Sequence, residues 1–318
     1  MAAGSYGDIA VVLSDEDLRP AVQPLLNYLN TPVTFVITEE NPYSIDIFGP
    51  DKMKISQGYK NIFFVLRWED GGPVGKKVSR LLSKETLGRL RDGQGGFIQM
   101  NNPFARYQFS LIFTAHDRNS IASVMRRNRE KIAEQLEKSI RERIQRRFRH
   151  TGLHENLMTR YWQKFEFFLE IPQEYRENQV LPEGFQGIEW TRNAPTRGIS
   201  LAWRDVENIP AALQDQDWLL AWRQEMGHAM HNEEIVDVGL TWREIEFAGQ
   251  PCVQLSGSWA SLVIDGGGPF FSFFIGDTKR GRLYCLDILV FAPGMEKMPF
   301  MREMRAIAET FSLQRPHP

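Results

Sequence analysis

The chain of 318 residues is 42% hydrophobic and 25% charged, inside the range of ordinary globular proteins, which excludes a disordered chain, a collagen-like repeat and a disulfide scaffold. At about 100–200 residues per domain, the length fits two domains, each large enough to bury its own core. With 38 basic and 40 acidic side chains the formal net charge is −2, so the whole chain offers no electrostatic case for a nucleic acid, and none is expected as partner.

The charge is unevenly placed: residues 1–150 carry 23 basic and 17 acidic side chains, and residues 151–318 carry 15 and 23. The two cysteines, Cys252 and Cys285, sit inside strand-like apolar runs, which argues against both a disulfide framework and a zinc ribbon. No run reaches the roughly 18–20 consecutive apolar residues of a membrane-crossing helix. Met1–Gly7 has neither a charged n-region nor an apolar h-region, so no export signal is expected in the sequence as it stands.

In chain order, Ile9–Leu13 reads as a strand buried on both faces. Ser14 is placed to cap a helix whose first turn holds Asp15, Glu16 and Asp17 and whose apolar stripe is Leu18, Val22, Leu25, Leu26 and Leu29. Strands are expected at Val33–Thr38 and Ile62–Leu66, then a turn at Asp70–Pro73 and a helix from about Gly75 to Arg91. A Gly-rich break at Gly93–Gly96 precedes strands at Phe97–Met100 and Tyr107–Thr114. Asp117 or Asn119 can cap the longest helical pattern, Ile121 to Phe148, whose four-residue spacing makes its stripe creep around the axis.

Thr151-Gly152 is the natural break. It divides an N-terminal α/β domain, residues 1–150, ending in a long basic helix, from a C-terminal domain, residues 151–318. In the second half a short helix, Leu153–Trp162, precedes strands at Phe165–Ile171, Gly187–Thr191 and Ile199–Trp203. A helix over Asp215–Met230 is followed by strands at Thr241–Phe247, Cys252–Trp259, Phe270–Ile275 and Leu283–Phe291 and a closing helix, Glu296–Phe311. Short links between the last strands fit antiparallel neighbours. The fold class is therefore α+β: two α/β sandwich domains, the second an antiparallel sheet flanked by helices.

An ordered set of short stretches carries a resemblance across almost the whole chain. It comprises Gly7–Val12, Phe165–Pro172 with Tyr175, Trp242-Arg243-Glu244-Ile245, Gly257-Ser258-Trp259, Gly267-Gly268-Pro269-Phe270 and Val290–Gly294. Together they resemble an uncharacterised domain-of-unknown-function family of gram-negative envelope proteins, usually lipoprotein-like. That resemblance implies an envelope or periplasmic location and no known activity. Such a lipoprotein would carry its lipid on an early cysteine, whereas here no cysteine precedes Cys252. The second half is also similar in element order to the α/β/α sandwich of the photosystem extrinsic protein and a nuclear-transport factor, a likeness of fold alone.

Several local patterns invite chemistry. Gly71–Lys77 follows a strand and precedes a helix but lacks phosphate-loop spacing, so it reads as a turn and no cofactor is expected. Glu225, His228 and His231 share one helix face, a weak metal pattern at a helix C-terminus where histidine is also favoured by the dipole. His150, His154 and Glu155 are a looser version of it. Arg146, Arg147 and Arg149 end a basic run that could contact anionic lipid, although interleaved glutamates fit a solvated helix face.

The most unusual composition is Asp265–Pro269 followed by Phe270, Phe271, Phe273 and Phe274, aromatic on both faces of a strand. It reads first as core, and otherwise as an apolar groove with Trp259, Gly267, Gly268, Phe271 and Phe273 as ligand-binding residues. No catalytic constellation is evident. The expected function is recognition of a protein or ligand without catalysis, the alternatives being an apolar-ligand carrier using the Phe-rich sheet or a hydrolase with a site between domains.

Overall fold

The structure, a computed structural model, describes residues 2–35, 38–68, 70–91, 96–178, 185–247 and 249–314, with residues 38 and 89–91 described by backbone alone. The chain divides into two compact units, Met1–Val33 with Asn41–Arg143, and Thr34–Glu40 with Ile144–Pro318. Among the described residues no helix is long and apolar enough to cross a membrane. The fold class is α+β, as read from the sequence.

The first unit begins with β1 (Asp8–Leu13), whose last five residues are fully buried. The cap expected of Ser14 belongs to Asp15, which accepts a hydrogen bond from Asp17 N in a 3-10 turn, and α1 (Arg19–Leu29) follows. The strand expected at Val33–Thr38 is instead a small ribbon, β2 (Val33–Phe35) with β3 (Thr38–Glu40). Next come β4 (Ser44–Phe48), α2 (Met53–Ser56) and β5 (Asn61–Arg67).

The helix expected over Gly75–Arg91 is two helices, α3 (Pro73–Ser79) and α4 (Lys84–Arg91). Ser83 restarts the second by accepting from Thr86 N at 3.1 Å. The Gly-rich break lies, except for Gly96, outside the described residues. After it come β6 (Gly96–Asn101) and β7 (Phe109–Ala115). Asp117 caps α5 (Arg118–Arg127), and α6 (Arg129–Thr151) continues after a one-residue interruption at Asn128, whose amide side chain donates to Val124 O.

The sheet of this unit has the order β4-β1-β5-β7-β6, parallel except for β6. Parallel strands need helical crossovers and are buried on both faces, which accounts for their unbroken apolar runs. On one face Val12, Ile62, Phe64, Leu66 and Ile112 pack under Val74 and Val78 of α3. β4 is absent from the expected elements because its alternating Ser-Ile-Asp-Ile-Phe is a half-buried edge rather than an apolar run.

The division between units falls inside α6. Its last residues, counted above with the first half, bind partners in the second unit: Gln145 Nε2 donates to Ala306 O at 2.8 Å, and Arg147 pairs with Glu303 at 3.1 Å. The second unit continues with α7 (Glu155–Phe165), β8 (Arg176–Asn178), β9 (Gly187–Arg192), β10 (Thr196–Asp205), α8 (Ile209–Gln214) and α9 (Gln216–His231). It closes with β11 (Glu233–Phe247), β12 (Gln250–Ser261), β13 (Gly267–Asp277), β14 (Arg282–Phe291) and α10 (Met298–Ala308).

The strand expected at Phe165–Ile171 does not form: α7 runs through Phe165, and Phe168 makes a single bridge to Ser312. Its apolar residues are instead an irregular segment packed on rings, with Phe167 6.1 Å from Phe311 and Phe165 4.9 Å from Trp203. The seven-stranded sheet runs β11-β12-β13-β14-β10-β9-β8 with every pair antiparallel. One face packs on α8 and α9 through Trp222, Met226, Phe270, Phe274 and Leu255. On the other, Phe311, just past α10, meets Tyr284 at 5.4 Å.

Candidate functional site

The Phe-rich strand is core. Phe270 and Phe274 lie in the cluster beneath α9, Phe274 5.9 Å from Trp222, while Phe273 on the opposite face stacks on Phe247 at 4.5 Å. Phe271 is half-buried and Trp259 is buried. A Cβ on Gly267 would lie 2.1 Å from Trp259 O, and one on Gly268 1.8 Å from Val290 O. These glycines are required by close strand approach, and of the residues anticipated for a ligand Trp259 and Phe273 pack on the protein's own side chains.

The weak metal pattern is dispersed among separate partners. Glu225 pairs with Arg204 at 2.6 Å, His228 with Gln224 at 2.6 Å, and His231 turns inward. His154 Nε2 contacts Tyr175 O at 2.9 Å. Of the basic run, Arg147 and Arg149 are ion-paired to Glu303 and Glu170, and Arg146 also has a partner. At the Gly71–Lys77 loop the Asp70 carboxylate accepts from Gly72 N (2.9 Å) and Gly75 N (3.1 Å), so the amides a phosphate would use are occupied.

A buried polar row crosses the second sheet at one register: Glu189 on β9, Ser200 on β10, Asp287 on β14 and Ser272 on β13. α9 lays two basic side chains over it. Arg223, fully buried, donates from Nε and Nη2 to the two Asp287 oxygens at 3.1 Å each and from Nη2 to Glu233 at 2.6 Å. Ser272 Oγ donates to Asp287, and Arg223 lies 4.4 Å over the Phe270 ring. Gly227 opens the passage, since a Cβ there would sit 2.6 Å from Arg223 Nη1.

One turn after Gly227, His231 contacts Glu189 through Nδ1 at 3.0 Å and Ser200 Oγ through Nε2 at 2.8 Å. This Ser-His-Glu chain has the connectivity of a nucleophilic triad. Burial alone would lower the imidazole pKa, but the hydrogen bond to Glu189 and the charges of Glu233 and Asp287 raise it above 6.5. That shift favours the imidazolium over the neutral ring that a triad base requires. Ser200 is 1% exposed, and β10 is laddered on both sides, so its N–H groups are committed to β9 and β14 rather than to an oxyanion. The chemistry of the row is that of a clasp holding α9 to the sheet.

Burial also raises the Glu233 carboxyl above its ordinary range against the opposing pull of Arg223. It pushes the Cys252 thiol up to about 12 and Cys285 well above a thiol's usual value, leaving both sulfurs unreactive.

The clasp positions a surface feature. His231 and Glu233 flank Asn232, a left-handed cap whose carbonyl accepts from Leu262 N at 2.8 Å in the β12–β13 loop. Ser261 N donates to Gly266 O at 2.8 Å, and Ser261 Oγ accepts from Val263 N and Ile264 N at 3.2 Å each. This organised tip exposes three consecutive aliphatics, Leu262 at 54%, Val263 at 74% and Ile264 at 54%. Its sequence signal, Leu-Val-Ile directly before Asp-Gly-Gly-Gly, was available, whereas nothing along the chain pairs Glu189, Ser200 and His231.

Residues 155–310 match the model of a domain of unknown function, DUF4837, and residues 2–149 match that of another, DUF8532. Together the two matches span nearly the whole chain, and neither description names an activity. No curated protein matches it. Among solved structures it is similar to cyanobacterial PsbP from Synechocystis (11% identity, 46% of this chain and 85% of that one, TM-score 0.33). It is also similar to LpqN, described as involved in cell envelope biogenesis of Mycobacterium tuberculosis (15%, 46% and 82%, TM-score 0.30). A Bacteroides thetaiotaomicron protein gives 9% identity over 47% of this chain and 45% of that one, with a TM-score of 0.29. Scores this low make all three distant likenesses.

Proposed function

We propose that the protein acts by recognition at the bacterial cell envelope, seating the Leu262–Ile264 tip in an apolar pocket of a partner protein. The observation that supports this reading is the tip itself: three aliphatic side chains held out to water on a loop whose backbone is fixed by four hydrogen bonds. Exposing them opposes the hydrophobic effect, and fixing the loop in advance lowers the ordering cost of binding. Asp265 follows the tip, and Glu234 lies opposite Ala260 on the neighbouring strand, so the surround is acidic and favours a basic rim over an anionic membrane. The envelope location rests on the sequence resemblance described above.

Site-specific photocrosslinking tests it. With the full chain produced in cells, a crosslinker at Val263 is expected to give one discrete protein adduct that disappears when Leu262 and Ile264 are changed to Ser. A crosslinker at exposed Ile55 is expected to give none. No adduct from position 263, or the same adduct from position 55, refutes the reading. Flotation with phosphatidylcholine vesicles that is lost in Val263→Asp refutes the protein partner in favour of lipid.

A further inference from the structure

The first unit holds a cavity of about 210 Å³ at the C-terminal ends of the parallel strands β5 and β7, beneath α3. This is the edge at which open α/β sheets place their ligands. Its walls are apolar, from Leu66, Val78, Leu82 and Ile112, and its rim carries Arg67 and Asp70. Into it faces Thr114, 2% exposed, whose Oγ1 has no hydrogen-bond partner among the described residues. A buried hydroxyl left unpaired is costly, and most find a partner. The space is adequate, since an apolar cavity of about 150 Å³ takes up benzene.

The rim sets the charge of the occupant. Arg67 is already ion-paired to Asp15 at 3.3 Å and to Asp17, and Asp70 adds a further carboxylate, so an anion gains nothing there. We propose that this cavity binds a neutral single-ring amphiphile, its ring against Leu66, Val78, Leu82 and Ile112 and its one hydroxyl on Thr114 Oγ1. The site is independent of the tip on the second unit.

Calorimetric titration of the full chain with p-cresol, toluene and benzoate tests the assignment. Saturable binding of p-cresol is expected, tighter than toluene and tighter than benzoate. Thr114→Val, close in shape and without the hydroxyl, is expected to weaken p-cresol about three- to tenfold, the range of one neutral hydrogen bond, and to leave toluene unchanged. Leu82→Phe, which fills the cavity from its half-buried rim, is expected to abolish binding of both with the circular-dichroism spectrum retained. Absence of saturable p-cresol binding, benzoate binding more tightly than p-cresol, or equal loss of p-cresol and toluene in Thr114→Val overturns it. The Thr114→Val comparison decides the matter even where the filled variant does not fold.

Discussion

The two sheets bury different things. In the first unit, β1, β5 and β7 are apolar almost throughout, and the carboxylates sit at the strand ends: Asp15 and Asp117 cap helices, and their pKa values are lowered by the backbone N–H groups they accept from. In the second unit the charges run through the middle. Arg223, Asp287 and Glu233 are sealed under α9, and on the opposite face Glu303 of α10 takes Arg197 at 2.6 Å, Arg192 at 3.2 Å and Arg147 at 3.1 Å. A parallel sheet covered by helices on both sides gains nothing from interior charge. An antiparallel sheet with long strands can fix one helix at one register by a charge that fits nowhere else.

The contrast can be broken most severely at Arg223. Arg223→Met leaves Asp287 and Glu233 buried without their guanidinium partner and is expected to cost about 3–5 kcal/mol. The urea midpoint followed by tryptophan fluorescence reads this in the second unit, which holds seven of the eight tryptophans. Adding Asp287→Leu to that variant is expected to recover part of the loss. A shift no larger than that of a surface substitution denies the clasp its role.

His231→Gln comes next, at about 1–3 kcal/mol for the bonds to Glu189 and Ser200, and it also changes a pH profile. The folded-state pKa values of His231 and Glu233 are both raised, so the folded second unit binds protons more tightly than the unfolded chain. Their contribution is fully present below the unfolded values, about 6.5 and 4.5, and is lost as pH rises through the folded ones. Urea midpoints measured from pH 5 to pH 9 should therefore fall across the upper part of that range in the wild type and fall less in His231→Gln. A wild-type midpoint that rises instead reverses the sign assigned here.

In the first unit the corresponding polar change is smaller. Asp70→Ala removes the acceptor of the Gly72 and Gly75 amides at the start of α3 and is expected to cost about 1 kcal/mol, read as faster hydrogen exchange at both. Changing Leu262 and Ile264 to Ser has the smallest effect: surface changes at the tip should each stay within about 0.5 kcal/mol of wild-type stability while abolishing the crosslink from position 263.

Legibility followed the same line. Ile9–Leu13 and Ile62–Leu66 were readable because a strand buried on both faces announces itself as an apolar run. Phe165–Ile171 gave the same signal and forms no strand, because aromatic packing against Phe311 and Trp203 asks for apolar residues without asking for a ladder. The Phe-rich strand was visible, but the sequence leaves open whether rings on two faces meet a ligand or a core. Trp222 and Phe247, which fill those faces, come from elements far along the chain. Glu189, Ser200 and Asp287 become neighbours only through pairing of β9, β10 and β14, so no local spacing encodes the clasp.

Glu40, on the ribbon strand β3, accepts from Lys297 N (2.8 Å) and Met298 N (2.9 Å) at the start of α10, a cap supplied from more than 250 positions upstream. The polypeptide therefore passes between the two units three times, at residues 33–34, 40–41 and 143–144. A truncation starting at Ile144 discards that carboxylate along with the ribbon. The shortest uninterrupted polypeptide that keeps the second unit whole must begin at or before Thr34, and in doing so it brings most of the first unit with it.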